Sequence, residues 1–127
     1  PDHCVGGRKR IRLADITSFP LLVLERGSTS RQLLDVALVK ENVSPPIAME
    51  LGGIEVLKRF VEIGLGLAIV PQVAVAQEVK RGQLHAVQVS GLPASPVGWI
   101  VRRGRMRSAA TNAFIQLIEY QLAHKKI

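Results

Sequence analysis

Apolar residues recur at helical spacing from Ile54 onward. Ile54, Leu57 and Val61 fall on one face, and Val56, Phe60 and Ile63 widen it. The opposite side carries Glu55 with Arg59 and Lys58 with Glu62, which are opposite-charge pairs at i,i+4. Gly64 ends this predicted helix, because glycine enters the left-handed C-cap without strain. Leu67 to Val70 then forms an unbroken apolar run before Pro71, as expected of a strand covered on both faces. The segment from Glu50 to Pro71 therefore reads as strand end, glycine turn, amphipathic helix, glycine stop and buried strand.

The same patterning divides the rest of the chain. Residues 1–12 are polar and basic and predict an extended lead-in, and Leu13 to Thr17 predicts one short helical turn. Pro20 to Leu24 predicts a buried strand. A turn and cap follow over Glu25 to Ser30, with Thr29 and Gln32 at the spacing of a capping box. The helix then runs to about Glu41 with Leu33, Leu34, Ala37 and Leu38 inward, and Asn42 to Pro46 breaks it. Ile47 to Leu51 is the next strand. Beyond Pro71 a helix extends to about Lys80, ended by Gly82, and Leu84 to Val89 is a further strand. Gly91 to Pro96 is rich in Gly, Pro and Ser and reads as a linker. Val97 to Arg103 reads as a strand. Ser108 to His124 reads as a long amphipathic helix with Ser108 at its N-cap and Ala109, Phe114, Ile115, Leu117, Ile118 and Leu122 as apolar residues. The order β-α-β-α-β-α-β, linker, β-α is that of an α/β sheet with helical crossovers. Right-handed crossovers bring the helix-leading loops to one sheet edge, where ligands bind in such folds.

Composition narrows the class. At 127 residues, 47% of them hydrophobic, the chain can bury a core, and the composition disfavours disorder. Aromatics are only 4%, so that core is aliphatic. No apolar run reaches the roughly 20 residues of a membrane helix, and no signal peptide is visible at the start. Cys4 stands alone, which excludes an internal disulfide and fits a reducing cytoplasm. The net charge is +7, with clusters at Arg8 to Arg12 and Arg102 to Arg107. Such charge suits an anionic ligand or polyanion, or only solvated loops and helix ends. No aromatics interleave the clusters, and neither zinc-finger nor helix-turn-helix spacing stands out.

The predicted site lies in the loops 25–29, 51–53 and 71–72. Ser28 and Thr29 bring hydroxyls and free backbone N–H groups to a helix N-terminus, and Gly52 and Gly53 bring the same N–H groups without side-chain bulk. Two helix N-termini facing one cleft suit a carboxylate, sulfate or phosphate group. Ser28 and Thr29 could instead only cap their helix, and the two roles can coexist. Glu25 and Glu50 end neighbouring strands. They are either a carboxylate pair for acid–base work or ordinary residues, one of them paired with Arg26 or Arg31. His3, His85 and His124 lack ligand spacing, so no metal is expected. Gly64-Leu-Gly66 precedes a strand rather than opening a helix, which disfavours dinucleotide binding, and no nucleophile elbow or Walker motif is present.

Four segments in order resemble one family. They are Gly7 to Asp15 (GRKRIRLAD), Pro20 to Arg31 (PLLVLERGSTSR), Ala48 to Glu55 (AMELGGIE) and Phe60 to Pro71 (FVEIGLGLAIVP). The series resembles the effector-binding domain of LysR-type transcriptional regulators. That resemblance implies a fold like type 2 periplasmic binding proteins, with two α/β subdomains and a small effector between them. Residues 1–94 would be subdomain II with its lead-in, and residues 95–127 a return strand and helix of subdomain I. The cleft-facing positions then map onto Ser28 and Thr29, Leu51, Gly52 and Gly53, and Pro71. Also implied are a small anionic metabolite as effector, a cytoplasmic location, and neither cofactor nor enzymatic activity. Self-association would give a homodimer or tetramer of the full-length protein, with the helix from Gly53 to Ile63 packing on a partner chain. DNA contact would come only through an N-terminal helix-turn-helix absent from this sequence. A stand-alone solute-binding protein and a small α/β enzyme are the other readings.

Overall fold

Leu21 to Leu24 is apolar at every position, and the first unit of the chain is built around it. The computed structural model describes residues 8–94, 98, 100, 104 and 106–124. The chain divides into two units, Pro1–Pro96 and Val97–Ile127. In the first, β1 (Arg10–Arg12) leads into a 3-10 turn (Leu13–Ile16), β2 (Leu21–Leu24), α1 (Thr29–Lys40) and β3 (Ile47–Leu51). There follow α2 (Ile54–Glu62), β4 (Leu67–Ala68), α3 (Gln72–Lys80) and β5 (Gln88–Ser90).

β2 is central in a parallel sheet of order β3-β2-β4. Leu24 lies opposite Leu51, and Leu21 opposite Leu67. Strand alternation sends Leu21 and Val23 to one face, where they join Leu34, Ala37 and Leu38 of α1 together with Ile11, Leu13, Ile16 and Val43. Leu22 points to the other face, which α2 covers, and both Leu22 and Leu57 of α2 are fully buried. Burial on both faces explains the unbroken apolar run. Where β4 begins, a Cβ on Gly66 would collide with the Pro20 carbonyl oxygen, so a side chain there would force the two strands apart.

Three helices of this unit end alike. The Gly64 amide donates to the Val61 carbonyl (2.9 Å) and the Leu65 amide to the Phe60 carbonyl (3.1 Å). The same pair of bonds closes α1 through Asn42 and Val43, and α3 through Gly82 and Gln83. This is the Schellman arrangement, and it puts Asn42, Gly64 and Gly82 at positive φ.

Several sequence expectations change. The basic lead-in contains β1, which pairs in parallel with β5 at Arg10 with Gln88 through Arg12 with Ser90. Ile11 points inward and the arginines outward. The strand expected at Leu84 to Val89 is found at Gln88–Ser90, because pairing with β1 sets its register. β4 stops at Ala68, short of Val70. The expected i,i+4 ion pairs of α2 are replaced by i,i+3 pairs, Lys58 with Glu55 and Arg59 with Glu62. Lys58 is buried rather than solvated, because it also reaches α3.

In the second unit, α4 (Ala109–His124) starts at Ser108, whose hydroxyl accepts from the Thr111 amide at 3.2 Å. Ile115 is buried, while Phe114, Leu117, Tyr120 and Leu122 are exposed. Of the strand expected at Val97 to Arg103 only Gly98 and Ile100 are among the described residues, and neither is in a strand; Cys4 and His3 lie outside the described residues. No described helix is long and apolar enough to cross a membrane.

Candidate functional site

The parallel order β3-β2-β4 brings the connections after all three strands to one sheet edge. The loop from β2 to α1 lies between the loops of Gly52 and of Pro71. The expected site residues Ser28, Gly52, Gly53 and Pro71 lie in these connections, and Leu51 and Thr29 are the last residue of β3 and the first of α1 beside them.

The β2–α1 connection is closed tightly. The Ser28 amide donates to the Glu25 carbonyl at 3.1 Å, making a four-residue turn. Ser28 is the N-cap of α1, with its hydroxyl accepting from the Arg31 amide at 3.1 Å. The cap is thus one residue earlier than the Thr29–Gln32 spacing suggests. Thr29 is the first helical residue and is exposed, so its hydroxyl is not spent on capping. Its amide and that of Ser30 lie outside the helix's own ladder.

The β3–α2 connection is the opposite case. The Glu25 amide donates to the Leu51 carbonyl at 3.1 Å, which carries the β2–β3 pairing to the edge of the two loops. Gly53 is the N-cap of α2 and makes no side-chain cap bond. The amides of Ile54, Glu55 and Val56 therefore have no capping side chain. A Cβ on Gly53 would meet nothing within 4 Å, whereas one on Gly52 would lie 3.1 Å from Glu25 Oε1. Gly53 thus faces open space, and Glu25 places a carboxylate against Gly52. α3 likewise begins at Pro71 without a side-chain cap.

Two cations are buried among the described residues: Arg31 ties the β2–α1 connection to β3, and Lys58 ties α2 to α3; the sequence offered Arg31 only as one partner for Glu25 or Glu50. Arg31 has a side chain only 3% exposed. Its Nε donates to Asp35 Oδ1 at 2.8 Å, Nη1 to the Leu24 carbonyl at 2.9 Å, and Nη2 to Glu50 Oε1 at 3.3 Å. The bond to Asp35 pushes the arginine pKa up, against the burial that would lower it. Lys58 of α2 donates to Glu78 Oε1 at 2.7 Å and to the Ala74 carbonyl at 3.2 Å, both on α3. Its bonds to Glu55 and then Glu78 raise its pKa, and Lys58 in turn lowers that of Glu78. The signal for Arg31 was its i,i+4 spacing to Asp35. Nothing local marks the bond to Glu50, which is 19 residues away.

With Glu50 bound to Arg31, an acid–base pair with Glu25 loses its geometric basis. Among the described residues no group of three or more His, Cys, Asp and Glu could hold a metal ion.

Comparison with known proteins places the chain. The family described as LysR substrate binding domain matches residues 1–123. The HTH-type transcriptional regulator CbbR of Xanthobacter flavus is 43% identical over 99 residues, which are 77% of this chain and 29% of that protein. A probable RuBisCO transcriptional regulator of Trichormus variabilis is 32% identical over 125 residues, 95% of this chain and 37% of that one. The chain thus spans about a third of the length of these relatives. The regulatory domain of Synechocystis CcmR, solved in complex with 2-PG, superposes with TM-score 0.74 at 22% identity, covering 98% of this chain and 59% of that one. The effector binding domain of QuiR, solved with shikimate, gives TM-score 0.73 at 17% identity, covering 97% and 58%. At these identities the solved structures show the shared fold, that of LysR effector-binding domains.

Proposed function

Because this chain belongs to the LysR substrate-binding domain family, we propose that it is the sensing part of a transcriptional regulator and binds a small anionic metabolite. The observation that carries this reading is the meeting of three strand-to-helix connections at one sheet edge, two of them with uncapped helix N-termini. Ser28 and Thr29, the backbone from Leu51 to Gly53, and Pro71 are the contacts. The Thr29 hydroxyl and the amides at the start of α2 are free to donate, and the helix dipoles favour negative charge there. Glu25 against Gly52 disfavours a ligand that is negative all round. The better fit has an anionic group at one end and hydrogen-bond donors at the other.

Ligands in the two solved relatives, 2-PG and shikimate, support small-metabolite sensing. The description of the CbbR relative as an HTH-type regulator supports DNA contact by a separate part of a longer protein, for which a cytoplasmic setting is our proposal. Residues 1–94 are subdomain II in this reading, and 95–127 return to subdomain I. Self-association would use the outer side of α2 and the turn that ends it, where Val56, Ile63 and Leu65 are exposed. A solute-binding role finds no support among relatives that regulate transcription.

The test is a thermal-shift screen of the regulator containing this chain, against small carboxylates and phosphate esters that include 2-PG and shikimate. A compound that raises Tm should bind Ser28→Ala and Thr29→Val at least about tenfold more weakly, a loss of about 1.4 kcal/mol. Equal affinity for both variants and the parent would remove the site from this edge.

A further inference from the structure

We infer that Arg31 is a positioning residue, which sets the spacing between the β2–α1 and β3–α2 connections without touching the ligand. The inference rests on the reading of this edge as the effector site. Three observations carry it. The Arg31 amide donates to the Ser28 hydroxyl, and its guanidinium donates to the Leu24 carbonyl. One residue thereby ties both ends of the Leu24–Ser28 turn. The same guanidinium then reaches across to Glu50 on β3, next to Leu51 and the two glycines. Asp35, one turn further along α1, holds Nε so that the fork keeps its orientation.

Chemistry explains why the residue is arginine. The contacts lie in three directions from one planar group, which a guanidinium supplies and an ammonium does not. The side chain is buried, so the charge has left water and depends on these partners. Glu50 and Asp35 remain partly exposed, with side chains 41% and 45% accessible, so Arg31 is the desolvated member of both pairs. Gly53 offers no cap that could fix α2 locally. Apart from the sheet pairing that ends at the Glu25–Leu51 bond, the crossing contact to Glu50 is the polar tie between the loops.

The test uses hydrogen exchange and amide NMR on Arg31→Lys and on Glu50→Gln, which keeps Arg31 bonded to Asp35 and Leu24. Lys58→Met serves as a control that loses a buried cation elsewhere. Amides are compared at matched global stability, set with denaturant. Arg31→Lys should speed exchange of the Ser28 and Glu25 amides at least about tenfold relative to the control, about 1.4 kcal/mol of local opening. Glu50→Gln should move the Glu25 amide in the same direction and leave Ser28 nearer the parent. Inorganic phosphate is the ligand probe. If it shifts the Thr29 and Ile54 amides of the parent, Arg31→Lys should weaken that response while Lys58→Met preserves it. Unchanged exchange in Arg31→Lys overturns the positioning role, whatever phosphate does. An unchanged phosphate response in Arg31→Lys overturns it too. Faster exchange with no phosphate response in the parent leaves Arg31 as a clamp and defeats the anion-site reading instead.

Discussion

Two neighbouring loops on the same sheet edge are built in opposite ways. The β2–α1 connection closes with a turn bond at Ser28, a serine cap and a buried arginine. The β3–α2 connection is two glycines, with no side-chain cap at all. Both helices have the same need, since the first amides of a helix lack intrahelical partners. The first helix meets it partly from within and leaves a free threonine hydroxyl. The second leaves it to whatever occupies the edge. For the ligand proposed at this edge, a fixed connection beside an open one would let it supply missing hydrogen bonds without first ordering the loops that receive it.

Removing the clamp should have the largest effect. Arg31→Met leaves the Leu24 carbonyl without its donor and separates Asp35 and Glu50 from their partner. A loss of about 3 kcal/mol in urea unfolding is expected. A loss below about 1 kcal/mol would mean that the guanidinium bonds are replaced by water at little cost, and the contrast between the loops would shrink. Next comes the cap itself. Ser28→Ala should cost about 1 kcal/mol. Thr29→Val should cost only a few tenths, because Thr29 is exposed and caps nothing. Equal losses would return the cap to Thr29, where the capping-box spacing put it.

The difference between the loops was only partly legible in the sequence. Helices and glycine stops were readable because their signals are local, as in the Ile54–Leu57–Val61 stripe ending at Gly64. The cap was misplaced by one residue because Thr29-x-x-Gln32 fits the capping rule, while the bond actually made is Ser28 to Arg31. The strand at Arg10–Arg12 was hidden because two of its three residues are charged and its partner lies near Gln88. Its pairing is a tertiary fact with no local trace. The same holds for Lys58, placed on the solvent side by helical periodicity and buried through Glu78 of α3. The convergence of the loops was readable because a parallel sheet brings its strand-to-helix connections to one edge, but the residues that hold those loops together act across strands.

The third prediction separates the two buried cations by pH. Lys58 holds the pKa of Glu78 below the ordinary glutamate value of 4.5. A depressed carboxylate contributes stability that is present above the unfolded value and is lost as pH falls through the folded one. The α2–α3 tie should therefore weaken on acidification below about 4.5. Lys58, whose pKa is raised, should loosen only at pH above 10.5. Glu78→Gln should flatten the acid limb of stability against pH. At neutral pH its effect should be smaller than that of Arg31→Met, since Lys58 keeps Glu55 and the Ala74 carbonyl. An unchanged acid limb in the variant would show that Glu78 does not carry this dependence.

The smallest effect on stability should come from making the open loop resemble the closed one. Gly53 has φ −158° and ψ 148°, an extended conformation open to any residue, and its missing side chain faces empty space. Gly53→Ser should therefore fit without strain. Its hydroxyl should accept from an amide of the first turn of α2, as Ser28 does for α1. The gain over glycine is only a few tenths of a kcal/mol, at the limit of what urea unfolding resolves. The effect on binding should be of opposite sign and easier to see, because the new hydroxyl occupies an amide that the ligand would otherwise use. A variant slightly more stable than the parent, yet weaker for any compound found in the thermal-shift screen, is the expected outcome. If Gly53→Ser binds as tightly as the parent, the amides at the start of α2 are not ligand contacts, and the site reduces to the Ser28–Thr29 side of the edge.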